Sequence, residues 1–443
     1  QFTIPLMKRF GYRPAFAGGV EATSSMGGQI MPPVMGAVAF IMSETINVPY
    51  VEICKAALVP ALLYFLTAFV MVHLEAGRAG LHGIPKEECP NPWRAVKERW
   101  YLVMPLLMLV FLLFSGYTPL FSGMVSLALT VVLIFGFALA ARFGAIGIRM
   151  LFWIVIGVAC SAFFEYGIGA IMLLIGAMAI GLFAVKGGRA TLKDAVEAMA
   201  NGARHALPVG VACALVGVII GILTLTGAAT NFAGYIIAMG EKSLFLSLFL
   251  TMLVCLVLGM GIPTIPNYII TSSLAAPALL ELGVPLIVSH MFVFYFGIMA
   301  DLTPPVALAA FAAAPIARET GLKIGMQALR VAIAGFIVPY MAVYAPALML
   351  QGGTWFDFGY VLFKAVLAIV LWGGAAIGYW LAPLNWFERA LAFVSAALLV
   401  VALPVTDELG IGGAALLMAW HGWRHRSRLR RPAAEAPAQS RGA

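Results

Sequence analysis

Leu258-Gly-Met-Gly-Ile-Pro-Thr-Ile-Pro-Asn267 places two glycines and two prolines within eight residues of an otherwise apolar stretch. Such residues remove helical hydrogen bonds and leave carbonyls and amides unpaired, which a bilayer tolerates only where protein buries them or a water-filled cavity receives them. Two further breaks, Ser24-Ser-Met-Gly-Gly-Gln-Ile-Met-Pro-Pro33 and Asp301-Leu-Thr-Pro-Pro305, have the same character. Unwound carbonyls and Ser/Thr hydroxyls are oxygen ligands suited to a small bare cation such as Na+, and half-helix C-termini add partial negative charge. The candidate ligands are Ser25, Gly27, Gly28 and Met31 at the first break, and Gly259, Gly261, Thr264, Ala300 and Thr303 at the other two. Pro32, Pro33, Pro263, Pro304 and Pro305 hold the breaks open. The competing reading is that these small residues only let helices pack closely. Asn267, Ser272 and Ser273 are candidate substrate contacts on the arm that follows the second stretch. Asp301 is an acid one turn before a double proline at membrane depth, where an ionisable group is costly unless partnered or functional. It can take up a proton, lie beside a cation, or cap the following half-helix through free amides.

Breaks at membrane depth need apolar helices around them, and the composition supplies these. The chain is 63% hydrophobic and 10% charged, against about 25% charged residues in soluble domains. A mean hydropathy of +1.00 excludes an ordinary soluble globular protein, and the length leaves room for about ten spans of ~20 residues. The net charge of +8 sits in short polar loops and near the C-terminus. That placement fits orientation in a membrane and not nucleic-acid binding. Cys54, Cys89, Cys160, Cys213 and Cys255 lack metal-ligand or redox spacing and read as packing residues. No cofactor is expected beyond a coupling ion.

Taken along the chain, the first break separates half-helices at 17–30 and 34–46, and a plain span follows at 50–72. Residues 100–115 and 119–141 form a hairpin turning at Gly116-Tyr-Thr-Pro119, and 150–164 and 166–185 form another pair. Residues 186–205 carry charges at helical spacing and predict an interface helix, with a span at 207–226 after it. A hairpin over 259–283 follows, then half-helices at 289–300 and 305–317 and spans at 325–350, 358–381, 388–405 and 409–421. Trp423–Arg431 carries Arg424, Arg426, Arg428, Arg430 and Arg431 and reads as a basic cytoplasmic tail with a disordered end.

An internal repeat organises this order. Pro32-Pro33 aligns with Pro304-Pro305 at an offset of 272, and Phe40 meets Phe311 if one residue is dropped. Paired broken helices in inverted repeats are a transporter architecture. Thr3-Ile-Pro5 echoes Thr264-Ile-Pro266, which places the tip of a first hairpin before Gln1. The expected division is 1–99 as first repeat and 100–206 as connecting helices. The second repeat is 207–352, additional membrane helices fill 353–422, and the basic tail is 423–443. The fold class is an all-α polytopic membrane protein with inverted repeats, re-entrant hairpins and broken helices.

Phe2-Thr-Ile-Pro-Leu-Met-Lys-Arg9, Glu21-Ala-Thr-Ser-Ser-Met-Gly-Gly-Gln-Ile-Met-Pro-Pro-Val-Met35 and Gly259-Met-Gly-Ile-Pro-Thr264 resemble the large membrane subunit of TRAP (tripartite ATP-independent periplasmic) transporters. Phe294-Tyr-Phe-Gly-Ile-Met-Ala-Asp-Leu-Thr-Pro-Pro-Val-Ala-Leu308 and Gly335-Phe-Ile-Val-Pro-Tyr340 extend the resemblance, which covers about 1–142 and 186–352. The chain looks most like fused permeases that work with TAXI-type binding proteins. The resemblance implies an elevator-type secondary carrier in the bacterial inner membrane, driven by Na+ or in some members H+. It implies a small organic acid such as a C4-dicarboxylate, delivered by a periplasmic TAXI-type protein. It also implies a small membrane subunit, fused upstream or separate, so that the chain is an N-terminally truncated large subunit. Residues 143–185 are expected to be additional to the common pattern. The alternatives are a sibling anion carrier without a binding protein and an intramembrane enzyme using Asp301. For the enzyme, no second membrane aspartate, Ser/Lys or His/Glu arrangement accompanies that acid.

Overall fold

A computed structural model describes residues 2–33, 35–81, 83, 91–98, 100–144, 146–185, 187–240, 243–401 and 404–430. Among these the chain is all-α, with no named strand. The order begins α1 Thr3–Arg9, α2 Pro14–Gly27, α3 Ala37–Ile46, α4 Tyr50–Ala79, α5 Pro92–Glu98, α6 Met104–Phe114 and α7 Pro119–Ala140. It continues with α8 Ile146–Ser161, α9 Phe163–Tyr166, α10 Ile168–Phe183, α11 Gly188–Leu225, α12 Ala228–Gly240, α13 Leu244–Gly259 and α14 Thr264–Glu281. The last are α15 Leu286–Ala300, α16 Leu308–Ala317, α17 Gly321–Val331, α18 Ile333–Tyr344, α19 Trp355–Ile377, α20 Trp386–Val401 and α21 Pro404–Arg430. Among the described residues, five helical segments are long and apolar enough to cross a membrane: α4, α7, α11, α17–α18 together, and α19. The other apolar helices are shorter because Gly and Pro interrupt them below the ~20 residues a span needs.

The chain divides into two compact units. One comprises Asn47–Glu52 and Pro85–Leu215. Its core joins Ala128, Val132 and Phe135 of α7 to Ile156 of α8 and to Ile171, Met178 and Leu182 of α10. The turn before α7 follows the sequence chemistry. Gly116 takes φ +85°, the Thr118 hydroxyl accepts the Phe121 N–H, and Pro119 opens the helix.

The other unit comprises Gln1–Ile46, Ile53–Ile84 and Val216–Ala443. Both double-proline breaks, the 259–267 stretch and the C-terminal helices lie in it. α2 packs against α16 and α17, while α3 packs against α14 and α15. Each copy of the repeat therefore lays its post-break helix on the pre-break helix of the other.

The backbone repeats far more closely than the side chains do. Gly11 and Gly283 both have positive φ (97° and 84°), three residues before α2 and α15 begin. In the first break Gln29 N–H bonds Met26 O, Ile30 bonds Gly27 O and Met35 bonds Met31 O, at 3.1, 3.1 and 3.0 Å. In the second, Asp301 bonds Ile298 O, Leu302 bonds Met299 O and Ala307 bonds Thr303 O, at 3.2, 3.1 and 3.1 Å. Each pair is offset by the same 272 residues. Met35 and Ala307 both take left-handed backbone (φ 49° and 41°), which costs a non-glycine residue about 1–2 kcal/mol. Gly36 is the extra residue of the first copy. Beyond it α3 overlies α16 and Asn47 (φ 52°) overlies Arg318 (φ 59°). Both Pro-Pro bonds are cis.

Several boundaries differ from the sequence reading, each for a local reason. α2 runs unbroken through Ser25 to Gly27, so the first break is Gly28–Gly36. The helix ends at the Gly27-Gly28 pair, ahead of the double proline, and the preceding serines do not break it. Around 259–267 only Met260–Pro263 is unwound. Pro266 sits in the first turn of α14, where its missing N–H would be unpaired in any case. Residues 188–225 form one helix in place of an interface helix and a separate span, with Asn201-Gly202 and Pro208 accommodated within it. The span expected at 325–350 is divided at Ala332 into α17 and α18. The basic segment is helical as far as Arg430, and the rest of the tail lies outside the described residues, as does Cys89.

Candidate functional site

α13 ends at Gly259, and the chain turns through Gly261 (φ +77°) into α14. This tip rests on the end of α15. A Cβ at Gly259 would lie 2.5 Å from Asn267 Nδ2 and 2.7 Å from Ala300 Cβ, so only glycine fits there. Asn267 Nδ2 donates to Gly297 O at 2.9 Å, which ties the first turn of α14 to α15. Asn267 is fully buried, and its Oδ1 has no hydrogen-bond partner. A Cβ at Gly261 would reach only Val306, at 3.8 Å, which puts the tip beside the second break.

At that break Thr303 Oγ1 donates to Met299 O at 2.7 Å, leaving its lone pairs able to accept or ligate. Asp301 is 7% exposed and its Oδ1 has no partner among the described residues. It does not cap α16, which has no side-chain cap. The Asp301 backbone carbonyl accepts the Ala309 N–H instead, at 3.1 Å. The structure thus brings together Gly259, Asn267 and Ala300, with Gly261 beside Val306. Thr264 is half-buried in the first turn of α14. Ser272 is buried and Ser273 exposed, and their hydroxyls donate to Ile269 O and Ile270 O one turn back.

The first break is held differently. Ser25 is exposed and its hydroxyl reaches Glu21 Oε1 at 3.5 Å. Gly28 is exposed and Met31 half-buried, with the Met31 carbonyl closing the turn to Met35. Gly27 lies under Tyr64, where a Cβ would come within 2.6 Å of Cε1. Tyr64 also donates to Thr23 O at 3.0 Å, and Thr23 Oγ1 donates to Ala328 O at 3.1 Å. A Cβ at Gly335 would meet Met299 Sδ at 2.5 Å and Tyr64 Cε2 at 3.1 Å. Tyr64 therefore adjoins both the end of α2 and the neighbourhood of the end of α15.

Residues 1–146 and 137–354 match the family described as Tripartite ATP-independent periplasmic transporter, DctM component. The chain belongs to that family. No curated protein matches it. A DctM component is a membrane part of a transporter, and the tripartite organisation implies a periplasmic binding protein and a small membrane subunit as its partners. The second match runs through 143–185, so α8–α10 lie within the matched span. The DctM match stops before α19, which leaves α19–α21 beyond it.

Thr23, Tyr64, Gly297 and Gly335 are the supports of this constellation that residue patterns miss. Gly297 and Gly335 fall within motifs that carry the resemblance, without a break to mark them. Tyr64 had no local signal, being one aromatic residue in a plain apolar span.

Proposed function

We propose that this DctM component carries out ion-gradient-driven uptake of a small organic acid across the bacterial inner membrane. The substrate is delivered by a TAXI-type binding protein, and the small subunit completes the complex. Na+ binds at the two breaks and the hairpin tip through carbonyl and hydroxyl oxygens, and the carboxylate substrate binds beside it. The loaded unit then moves in an elevator-like step. One observation carries this reading: the tip is seated on α15 where Asn267 Oδ1 and Asp301 Oδ1 are both buried without hydrogen-bond partners. Buried polar atoms are nearly always satisfied, and two orphan acceptors at paired helix breaks suit a cation. Inverted topology of the two copies is part of the same proposal.

Reconstitution of the complete transporter with its binding protein is the direct test. Uptake is expected to require the binding protein and an inward Na+ or H+ gradient. Flux without the binding protein would favour a sibling anion carrier, and gradient-independent flux would remove secondary transport altogether.

The orphan Asp301 oxygen also supports H+ as coupling ion. The variant Asp301→Asn is expected to keep Na+-driven uptake and to lose any acceleration by an inward H+ gradient, measured as initial rates at several external pH values. Ion and pH dependence identical to the parent protein would leave the Asp301 carboxylate outside coupling.

A further inference from the structure

Away from the breaks, basic side chains gather around the C-terminal end of α19. Arg13, Arg78, Lys323 and Arg330 line a cleft of ≈ 380 Å³ with Glu75. Arg330 and Arg389 line a second, of ≈ 440 Å³, whose other walls include Trp372, Trp386, Phe393 and Val394. The acids of this region are already matched. Glu75 accepts two hydrogen bonds from Arg78, at 2.8 and 2.5 Å. Glu319 accepts from the Thr320 N–H and Lys323 Nζ at 3.0 and 3.1 Å, and these hold its carboxyl below the usual range. Glu388 is fully buried and faces His421 and Arg424, at 3.4 and 2.9 Å.

Arg330 and Arg389 have no carboxylate within ion-pairing distance among the described residues. Arg389 Nε donates to Ala375 O at 2.8 Å, while Arg330 donates to Ala376 O and to Gln327 Oε1. The last carbonyls of α19 thus hold both guanidiniums in one place, and each keeps N–H groups of its five unspent. Below them the second cleft is apolar and open: Phe393 and Val394 are 48% and 51% exposed, and the Trp372 and Phe393 ring centroids are 4.6 Å apart.

We propose that Arg330 and Arg389 hold the phosphate of an anionic phospholipid whose acyl chain lies along Trp372, Phe393 and Val394. Charge complementarity selects an anion, because neither guanidinium has a carboxylate within ion-pairing distance among the described residues, and Glu75, which lines the first cleft with Arg330, is paired to Arg78. The apolar floor selects a lipid over a free anion, since a small ion would use only the charged end. Basic pockets between membrane helices bind anionic headgroups on this logic. Arg389 belongs to α20, outside the DctM match, so half of the site comes from the C-terminal helices. The lipid would join that part to α17, which packs on α2 of the first repeat.

The test uses the full-length transporter, delipidated in detergent, with unfolding temperature followed against added phosphatidylglycerol, phosphatidylcholine or inorganic phosphate. The midpoint is expected to climb with phosphatidylglycerol concentration and to stay put with the other two. The double variant Arg330→Gln/Arg389→Gln removes charge-assisted hydrogen bonds and is expected to weaken the lipid by about tenfold or more. Ala390→Trp fills the groove but keeps both arginines, and is expected to weaken it as well. Inorganic phosphate reproducing the shift, or Ala390→Trp leaving it intact, would point to a free anion and overturn the lipid. An equal shift from phosphatidylcholine would overturn the charge selection. The lipid comparison on the parent protein stands even if a variant fails to fold.

Discussion

Replacing Gly259 with valine is expected to lower Na+-driven uptake by about five- to 150-fold while the protein remains folded. A Cβ at this position would stand 2.5 Å from Asn267 Nδ2 and 2.7 Å from Ala300 Cβ. Neither neighbour can yield easily. The Asn267 amide is anchored to Gly297 O, and Ala300 is fixed at the buried end of α15. Overpacking of this kind costs about 1–3 kcal/mol. Placed on the ion-bound state alone, that energy gives the stated range in affinity. Rising half-saturation by Na+ in proteoliposomes is the readout that separates a displaced tip from a general loss of protein. Gly261→Asn is the comparison, because that position has open space around it and asparagine tolerates a positive φ better than most residues. Its loss of uptake should be smaller. Valine at 259 with normal uptake and normal Na+ dependence would take the tip out of the site.

The contrast between these two glycines marks how far the sequence could be read. The breaks at Pro32-Pro33, Pro304-Pro305 and 259–263 were legible because proline lacks a donor wherever it stands and polar backbone in an apolar run always needs a partner. The local structure around the first break was not. Ser25 looked like part of a break, but the helix holds through Gly27 and the hydroxyl turns to Glu21. Nothing in the residue types announces the left-handed Met35 and Ala307, because methionine and alanine do not favour that backbone. The repeat is therefore clearer in dihedral angles than in letters. Asn267 read as a substrate contact from its place on the hairpin. Its partner is a carbonyl thirty residues away, and no local spacing predicts such a pair. The C-terminal helices were visible only as apolar length, since their charged residues meet across 43 positions of chain.

That long-range pair carries the second large effect: Asp407→Ala is expected to destabilise the protein by about 3–5 kcal/mol. Lys364 of α19 and Asp407 of α21 lie 2.6 Å apart with side chains 3% and 7% exposed. Tyr360 donates to the same Asp407 oxygen at 3.1 Å, and the Lys364 ammonium sits 5.0 Å from the Tyr360 ring centroid. The same helices share an apolar core of Ala368, Leu371, Ala396, Leu399 and Leu417. Removing the acid strands a buried ammonium, which is what makes the loss large; the pair itself gains little over an apolar filling. Lys364→Met should be comparably damaging, since it strands the carboxylate and leaves it only the tyrosine. The double variant Lys364→Met/Asp407→Leu should then recover most of the parent stability. Unfolding temperatures in detergent for the three proteins decide the matter. The exposed pair Lys323–Glu319, 67% and 25% exposed, is the control, because solvent screens such a pair and its loss costs little. Single variants no worse than that control would mean the Lys364 and Asp407 charges reach water and do not fasten α21 to α19.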